Sequence, residues 1–198
     1  MNRLLIATEN QGKMRELREL LADLPLELLT PSQLGLNLKV EETGSTYAEN
    51  AALKARAYAQ AASLPALADD SGLEVDALDG APGLRSARYH PRPGASDADR
   101  RAYLLENLRG KPRPWTARFH ATIAIALPDG AVHFAEGYCP GEIIPHERGT
   151  GGFGYDPIFL LPDLGLTMAE LSMEQKNRLS HRARAVMNAR ALLAQIFG

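Results

Sequence analysis

The chain has 198 residues, of which 45% are hydrophobic and 23% charged, ordinary values for one globular domain spanning residues 1–198. Its formal charge of −2 lacks the basic excess that nucleic-acid binding requires, and its apolar stretches fall short of the ~20 residues that span a bilayer. The one cysteine, Cys139, can form no internal disulfide, and the apolar run after Arg3 is too short for a signal peptide. We therefore expect a cytoplasmic protein with neither a nucleic-acid nor a membrane partner.

In the first part of the chain, short apolar runs alternate with helical patterns. Continuous apolar runs predict buried strands, and apolar residues at three- and four-residue spacing predict helices. The predicted elements are a strand at 3–8, a helix at 14–24 ended by Pro25, a strand at 26–29, an alanine-rich helix at 47–62, and a strand at 64–68 that runs into Asp69-Asp70 and continues at 73–78. Thr46 and Glu49 match a capping box at the start of the alanine-rich helix.

In the rest of the chain the spacing of apolar residues changes from helical to alternating and then back to helical. The predicted elements are a loop at 79–94 apart from a core at 86–89, a helix capped by Ser96 or Asp97 that reaches Leu108, a strand from 117, a β-hairpin around Asp129-Gly130, a short helix that begins with residues 167–171 and a last helix capped by Ser180. A strand, a polar turn and a helix open the chain, an order common in α/β nucleotide-binding domains. Together the patterns predict an α/β fold with a mixed sheet, in which the hairpin region forms a second lobe.

The first polar cluster, Thr8-Glu9-Asn10-Gln11-Gly12-Lys13, lies at the turn between the first strand and the first helix. A lysine beside the free N–H groups of a helix N-terminus is suited to hold a phosphate chain. The turn is not a Walker loop, because the glycines and the Lys-Ser/Thr pair of that motif are absent. A solvated turn is the alternative interpretation.

Two pairs of carboxylates, Glu41-Glu42 and Asp69-Asp70, form the next clusters. The aspartates are predicted to end a buried strand, where like charges repel each other unless a cation intervenes. Mg²⁺ suits such a place, because it takes oxygen ligands and keeps positions for a substrate phosphate. One carboxylate of each pair, brought together by the fold, would suffice. Solvated acidic loops are the alternative.

A fourth cluster combines glycines, aromatic rings and cations, and its members are residues 151–157, Lys176-Asn177 and Ser180-His181-Arg182. Glycines beside Phe153 and Tyr155 allow a flat base to stack close to the backbone. Arg182 in the first turn of a helix, if placed at the surface, opposes the helix dipole by about 0.3–1 kcal/mol. An anionic or carbonyl-bearing ligand would offset that cost. The other histidines lack the spacing of a zinc site, and no Gly-x-Ser-x-Gly motif is present.

Short motifs in a fixed order cover nearly the whole chain. They are Thr8-x-Asn10-x-x-Lys13, Glu41-Glu42-Thr43-Gly44, Glu49-Asn50-Ala51, Ala68-Asp69-Asp70-Ser71-Gly72-Leu73, Gly80-Ala81-Pro82-Gly83, Ser86-Ala87-Arg88, Gly151-Gly152-Phe153-Gly154-Tyr155-Asp156-Pro157, Ala169-Glu170-Leu171, Lys176-Asn177 and Ser180-His181-Arg182. This ordered set resembles the inosine triphosphate pyrophosphatase family, hydrolases of non-standard purine triphosphates. Glu9 departs from the pattern, since bacterial members usually carry glycine there. An extra carboxylate at this place either weakens phosphate binding or adds to a metal shell.

The resemblance implies a homodimeric α/β protein with an elongated mixed sheet, flanked by helices, and two lobes around a central cleft. It implies Asp70 as the base that activates water, and Glu42 and Asp70 as the contacts to Mg²⁺, with Glu41 and Asp69 as further candidates. It implies two groups of substrate-binding residues: Thr8, Glu9, Asn10, Gln11, Gly12, Lys13 and Ser71 for the phosphates, and Phe153, Gly154, Tyr155, Asp156, Lys176, His181 and Arg182 for the base and sugar.

The implied reaction is the hydrolysis of ITP, dITP or XTP to the monophosphate and pyrophosphate. An aspartate near its reference pKa of about 3.9 is a weak base at neutral pH, so we expect an alkaline optimum. Two alternatives are a non-catalytic nucleotide-sensing module and a pyrophosphatase for modified pyrimidine triphosphates. The acidic pairs argue against the first, because a pure phosphate binder gains nothing from negative charge without a metal. The Phe-Gly-Tyr-Asp and Ser-His-Arg motifs argue against the second.

Overall fold

Within residues 2–198, which the computed structural model describes, seven strands form one mixed sheet flanked by helices, as the sequence predicts. The strands are β1 (Asn2–Ile6), β2 (Leu26–Leu29), β3 (Ala66–Val75), β4 (Trp115–Ala126), β5 (Val132–Ile143), β6 (Phe159–Leu161) and β7 (Leu166–Thr167). Their order in the sheet is β2-β1-β3-β4-β5-β6-β7. Strand β1 pairs in parallel with β2 and β3, whereas β6 pairs antiparallel with β5 and β7.

The helices are α1 (Gln11–Leu20), α2 (Tyr47–Ala62), α3 (Asp97–Asn107), α4 (Met173–Leu179) and α5 (His181–Phe197), with short 3-10 turns at Ser32–Leu34, Asp76–Leu78, Gly83–Arg88 and Asp156–Ile158. Helix α2 begins where predicted, because Thr46 Oγ1 accepts a hydrogen bond from Glu49 N at 3.1 Å. The reciprocal bond of the predicted capping box goes elsewhere, since the Glu49 carboxylate accepts from Ser45 N. No helix within residues 2–198 is both long enough and apolar enough to cross a membrane.

Three predictions of local structure were wrong. Residues 167–171 form the end of β7 and a turn, and the helix starts only at Met173, behind a capping box made by Ser172 and Gln175. Helix α1 ends at Leu20, because the four residues after it form a turn. Asp69-Asp70 does not end a strand, since β3 continues through the pair to Val75. The predicted hairpin is confirmed, with Leu127 N donating to Ala131 O at 2.9 Å between β4 and β5.

Residue contacts divide the chain into two compact units, each with a core. Unit 1 comprises Met1–Asp70, Ala121–Gly137 and His181–Gly198, and unit 2 comprises Ser71–His120 and Tyr138–Ser180. The single domain and the central cleft stay predictions.

The core of unit 1 has two layers, one on each face of β1. Leu4 and Ile6 pack in a cluster with side chains of α1 and α5, whereas Leu5 packs in a second cluster with α2. Successive side chains of a strand point to opposite faces, which is why β1 reads as a continuous apolar run. The second cluster is built largely from alanines, which let α2 lie close to the sheet. They are Ala7, Ala51, Ala55, Ala59, Ala66, Ala68, Ala124 and Ala126.

Unit 2 has a core of its own around α3 and the strand β6. It includes Leu104 of α3, Leu73 and Val75 of β3, and the rings of Phe119 and Phe159, whose centroids lie 4.3 Å apart. The same cluster includes Ile143 and Ile158, which lie on either side of the glycine-rich segment that precedes β6.

Gly137 is required where β5 passes close to α5 in unit 1. A β-carbon at this position would lie 2.2 Å from both Ala185 N and His181 O, and backbone atoms cannot turn aside as side chains do. We predict that Gly137→Ala lowers the free energy of unfolding by about 3 kcal/mol, measured by urea titration. Gly94→Ala is the matched control, because its β-carbon meets nothing within 4 Å and only a φ of 71° opposes it. Its loss should be about 1–2 kcal/mol, and equal losses in the two variants would contradict the packing explanation.

Candidate active site

Strand β3 directs Asp69 and Asp70 to opposite faces of the sheet within unit 1. The Asp69 carboxylate contacts side chains of α1 and α5, whereas the Asp70 carboxylate contacts a side chain of α2, as the alternation of strand side chains requires. The backbone carbonyl of Asp69 also accepts from Lys54 Nζ of α2 at 3.0 Å. Both aspartates are buried, with 1% and 7% of the residue exposed. Each carboxylate is hydrogen-bonded to a cation, so the strand continues through the pair instead of ending at two repelling charges.

Asp69 is enclosed by two cations. Its Oδ1 accepts a hydrogen bond from Lys13 Nζ at 3.0 Å, and its Oδ2 accepts one from Arg182 Nε at 2.5 Å. Burial alone would raise the pKa of Asp69, but Arg182 and Lys13 outweigh it and hold that pKa well below its usual range. Asp69 is therefore ionised at neutral pH, and both of its carboxylate oxygens are already hydrogen-bonded. This arrangement favours a role in positioning Lys13 and Arg182 over a role as a metal ligand.

Lys13 reaches Asp69 from the first turn of α1. Asn10 caps this helix by accepting from Lys13 N at 3.0 Å, and Thr8 Oγ1 accepts from Asn10 N at 3.2 Å. The predicted phosphate-binding turn is thus a helix N-terminus, whose N–H groups and dipole favour an anion. Burial lowers the pKa of Lys13, with Asp69 opposing the change.

The other side chains of this turn are more open to solvent. Glu9, Asn10 and Gln11 are exposed, and Gly12 is half-buried. The Glu9 carboxylate lies 3.5 Å from the hydroxyl of Tyr58 on α2. The extra carboxylate of this chain therefore lies beside α2.

Arg182 is buried, with 1% exposed, rather than placed at the surface. It stands second in α5, next to buried His181, and its Nη1 donates to the buried carboxylate of Glu16 on α1. A cation in the first turn of a helix opposes the dipole. Asp69 and Glu16 supply the negative charge that offsets this cost. Two carboxylates of the protein therefore take the place of the anionic ligand that the sequence predicts for Arg182.

On the other face of β3, Lys54 of α2 joins two carboxylates. Its Nζ lies 3.0 Å from Asp70 Oδ1 and 2.8 Å from Glu42 Oε1. Burial by itself lowers the pKa of Lys54, but Asp70 and Glu42 together raise it above its ordinary value. Burial raises the pKa of Asp70, and Lys54 opposes that rise. One carboxylate from each acidic pair is thus within reach of a single positive charge.

Two charged residues of the candidate site, Lys54 and Glu16, are not among the site residues predicted from the sequence. Lys54 pairs with Glu42 and Asp70, and Glu16 pairs with Arg182. The stripe of α2 that packs on the sheet includes Ala51 and Ala55, and Lys54 falls on it at helical spacing. Glu16 is 3% exposed and follows Lys13 by three residues on the buried side of α1. A charged residue on the apolar stripe of a helix is the sequence signal that identifies both.

The donor set of Glu42 and Asp70 fits Mg²⁺. Among residues 2–198, no group of three His, Cys, Asp or Glu side chains could hold a metal ion by itself. Mg²⁺ is commonly held by one or two carboxylates together with waters and substrate phosphates, and two carboxylates converging on one ammonium provide that number. Glu41 is exposed, and both carboxylate oxygens of Asp69 are engaged by Lys13 and Arg182, so neither carboxylate joins this pair.

The predicted aromatic and glycine cluster forms a hydrogen-bonded loop within unit 2. Buried Asp156 accepts through Oδ2 from Phe153 N at 2.9 Å and from the equally buried Lys176 Nζ at 2.7 Å. Lys176 Nζ also lies 5.2 Å from the centroid of the Phe153 ring. A β-carbon on Gly152 would lie 2.0 Å from Asp156 Oδ2, so this turn closes only with glycine.

Neighbouring residues tie the loop into unit 2. The buried Tyr155 donates its hydroxyl to Ser86 O at 2.9 Å, and Gly154 O accepts from Arg101 Nη1 at 2.8 Å. The Phe153 ring is half-buried, and so is Ser71 in β3. Tyr155 and Asp156 therefore shape the loop, and Phe153 is the aromatic side chain of this group that presents surface.

Comparisons with known proteins agree with the resemblance seen in the motifs. A model of the Ham1 family matches residues 4–192. A dITP/XTP pyrophosphatase of Listeria monocytogenes is 47% identical over 197 residues, 99% of this chain and 97% of that protein. One of Thermus thermophilus is 50% identical over 192 residues, 96% of this chain and 90% of that protein.

Solved structures give the same result. The structure of a HAM1 protein from Coxiella burnetii has a TM-score of 0.89 and 40% sequence identity, and the match covers 98% of this chain and all of that one. A dITP/XTP pyrophosphatase from Mycobacterium abscessus has a TM-score of 0.73 at 38% identity, over 99% of this chain and all of that one. On its motifs, its fold and these matches, the chain belongs to the Ham1 family.

Proposed function

We propose that this protein hydrolyses dITP, XTP and ITP to the nucleoside monophosphate and pyrophosphate, with Mg²⁺ as cofactor. It is a nucleoside-triphosphate pyrophosphatase, as the names of relatives matched over almost its whole length support. The observation that supports the site most directly is the convergence of Glu42 and Asp70 on Lys54. A pure nucleotide-binding module would gain nothing from these two negative charges, of which Asp70 is buried and Glu42 half-buried.

In this proposal, different residues of unit 1 activate the water, bind the phosphates and hold the metal ion. Asp70 takes a proton from the attacking water, and its burial makes it a stronger base than a solvated aspartate. Lys13 and the N–H groups at the start of α1 bind phosphate oxygens. Mg²⁺ held by Glu42 and Asp70 would supply charge neutralisation at those oxygens. Attack at the α-phosphorus makes pyrophosphate the leaving group.

Base selection follows from the edge of the purine. Hypoxanthine and xanthine present a carbonyl at the 6-position, where adenine presents an amino group. Donors aimed at that carbonyl would face another donor in ATP, and each unsatisfied buried group costs about 1–3 kcal/mol. The base-and-sugar assignments of Phe153, Gly154, Tyr155, Asp156, Lys176, His181 and Arg182, and the phosphate assignments of Ser71 and residues 8–13, stay predictions.

A substrate panel tests the proposed function. ITP, XTP, dITP, ATP and GTP are each incubated with the protein and Mg²⁺, and pyrophosphate and orthophosphate are measured separately. We expect pyrophosphate from the first three and far slower turnover of ATP. Orthophosphate as the product, or binding of ITP without turnover, would contradict the proposal, and the second outcome would favour a nucleotide-sensing module.

The family resemblance also supports a homodimer, and the single cysteine supports a cytoplasmic location. Sedimentation velocity tests the first proposal: one species at twice the mass of 21.5 kDa is expected, and a monomer at micromolar concentration would contradict it.

We predict that kcat/KM for ITP increases with pH towards an alkaline optimum. Only the ionised carboxylate of Asp70 acts as a base, and burial raises its pKa, so activity is lost as pH falls through that pKa. The profile is measured at saturating Mg²⁺ in buffers of constant ionic strength. A flat profile between about pH 6 and 10 would contradict the alkaline optimum, and activity that does not fall on acidification would contradict the assignment of Asp70 as the base.

A further inference from the structure

Glu42 lies on a loop, residues 41–45, that belongs to no strand or helix. Inside this loop, Thr43 N donates to Glu41 O at 3.2 Å, a bond that does not reach beyond the loop. The position of the Glu42 carboxylate therefore depends on what fastens the loop to a rigid element. In unit 1 that element is α2, which follows the loop directly.

The first turn of α2 holds the loop by two side chains. Gly44 N donates to Asn50 Oδ1 at 2.8 Å, and Ser45 N donates to Glu49 Oε2 at 2.6 Å. Glu49 is exposed, so water competes for its bond, whereas Asn50 is 1% exposed. The shielded bond from Gly44 to Asn50 is thus the firmer of the two attachments.

Gly44 and Asn50 are fitted to each other. A β-carbon on Gly44 would lie 2.8 Å from Asn50 Oδ1 and 2.6 Å from Glu49 Cβ, so the loop backbone lies directly against the helix. At the same time, Asn50 Nδ2 is buried and makes no hydrogen bond among the described residues. An unsatisfied buried donor destabilises a fold. The buried Nδ2 therefore adds nothing to the stability of the fold. The contact that Asn50 makes with the loop is the one through its acceptor Oδ1.

Asn50 and Lys54 are four residues apart and therefore neighbours on one side of α2. Lys54 holds Glu42, and Asn50 holds Gly44 two residues later. A divalent cation held by Glu42 and Asp70 would compete with Lys54 for the same carboxylates. The attachment through Lys54 would then weaken, whereas the one through Asn50 would remain.

We propose that Asn50 is a positioning residue, which holds the loop 41–45 so that the Glu42 carboxylate stays beside Asp70 for a divalent cation. The proposal rests on the proposed function, because it assumes that Glu42 and Asp70 bind the cation. It assigns a role to the Glu49-Asn50-Ala51 motif beyond capping a helix.

The test uses Mn²⁺ as the probe and the full chain without nucleotide. Binding is measured by isothermal titration and by the loss of the free-Mn²⁺ signal in electron paramagnetic resonance. We expect Asn50→Ala to raise the Kd for Mn²⁺ about 3- to 10-fold, the factor that one shielded hydrogen bond is worth. Asn50→Asp keeps an acceptor for Gly44 N, so its Kd should stay within about twofold of the wild-type value or fall.

Ala59→Gly is the matched control, since it loosens the far end of α2 without touching the loop. It should lower the melting temperature and leave the Kd unchanged. Gly44→Ala disturbs the same contact from the loop side and should raise the Kd as Asn50→Ala does, which keeps the test open if Asn50→Ala does not fold. An unchanged Kd in both Asn50→Ala and Gly44→Ala, or an equal rise in Ala59→Gly, would overturn the proposal.

The two levels of inference fail differently. Wild-type protein that releases no pyrophosphate from ITP would overturn the proposed function. Wild-type protein that turns over ITP and binds Mn²⁺, with both Asn50→Ala and Gly44→Ala binding Mn²⁺ equally well, would overturn the role of Asn50 alone.

Discussion

Asp70→Asn is expected to lower kcat for ITP by a factor of about 10²–10⁴ while leaving the fold intact. The amide has the size of the carboxylate but cannot take a proton from water. Lys54 loses one of its two negative partners but keeps Glu42, so the protein should remain folded. Pyrophosphate release measures the activity, and circular dichroism measures the fold.

Asp76→Asn is the control for this substitution. Asp76 is exposed on the 3-10 turn that follows β3, its carboxylate accepts from Thr116 Oγ1, and it is not among the predicted site residues. Its kcat should match the wild type. An Asp70→Asn variant that retains more than about a tenth of wild-type kcat would refute the assignment of Asp70 as the base.

Arg182→Leu is expected to lower the free energy of unfolding by about 3–5 kcal/mol at neutral pH. The substitution leaves Glu16 buried without its cation and removes one of the two cations that pair with Asp69. Arg190→Leu on the same helix is the control, because Arg190 pairs with Asp23 at the surface and such pairs contribute about 0–1 kcal/mol. Urea titration of both variants measures the difference.

The pH dependence of this loss has a definite sign. Arg182 and Lys13 hold the pKa of Asp69 below its usual range, so this pairing stabilises the wild type above the unfolded pKa of about 3.9 and is lost as pH falls below it. The difference between wild type and Arg182→Leu should therefore shrink between neutral pH and about pH 3. A loss below about 1 kcal/mol at neutral pH, or one that grows on acidification, would contradict the role of the buried network.

Local signals predicted the elements whose ends are marked by side chains. Residues 47–62 form a helix with the predicted bounds, since Thr46 caps it and the alanine stripe follows the helical period. The strand at 26–29 also lies where expected, after Pro25. Both depend on residues close in sequence, which is why one sequence suffices. The short helix predicted to begin with residues 167–171 begins only at Met173, because β7 and a turn occupy that segment and the capping box lies further on, at Ser172.

The candidate site was harder to predict, because it depends on contacts between distant segments. That Asp69 and Asp70 carry adjacent charges is visible in the sequence. Asp69 pairs with Arg182 of α5, and Asp70 pairs with Lys54 of α2. These pairings depend on which face of β3 each side chain points to, and that is set by the neighbours of β3 in the sheet. Buried Glu16 and half-buried Lys54 interrupt the apolar stripes of their helices, yet their partners lie more than ten residues away in the sequence. Ordered motifs identified the family correctly without any of this geometry.

The most direct measurement is anomalous X-ray scattering from Mn²⁺ in crystals grown with an ITP analogue that cannot be hydrolysed. We predict a manganese peak with carboxylate oxygens of Glu42 and Asp70 among its ligands, next to the triphosphate. A metal ion held at another place, or bound by the phosphates with neither carboxylate at coordination distance, would contradict the proposed site.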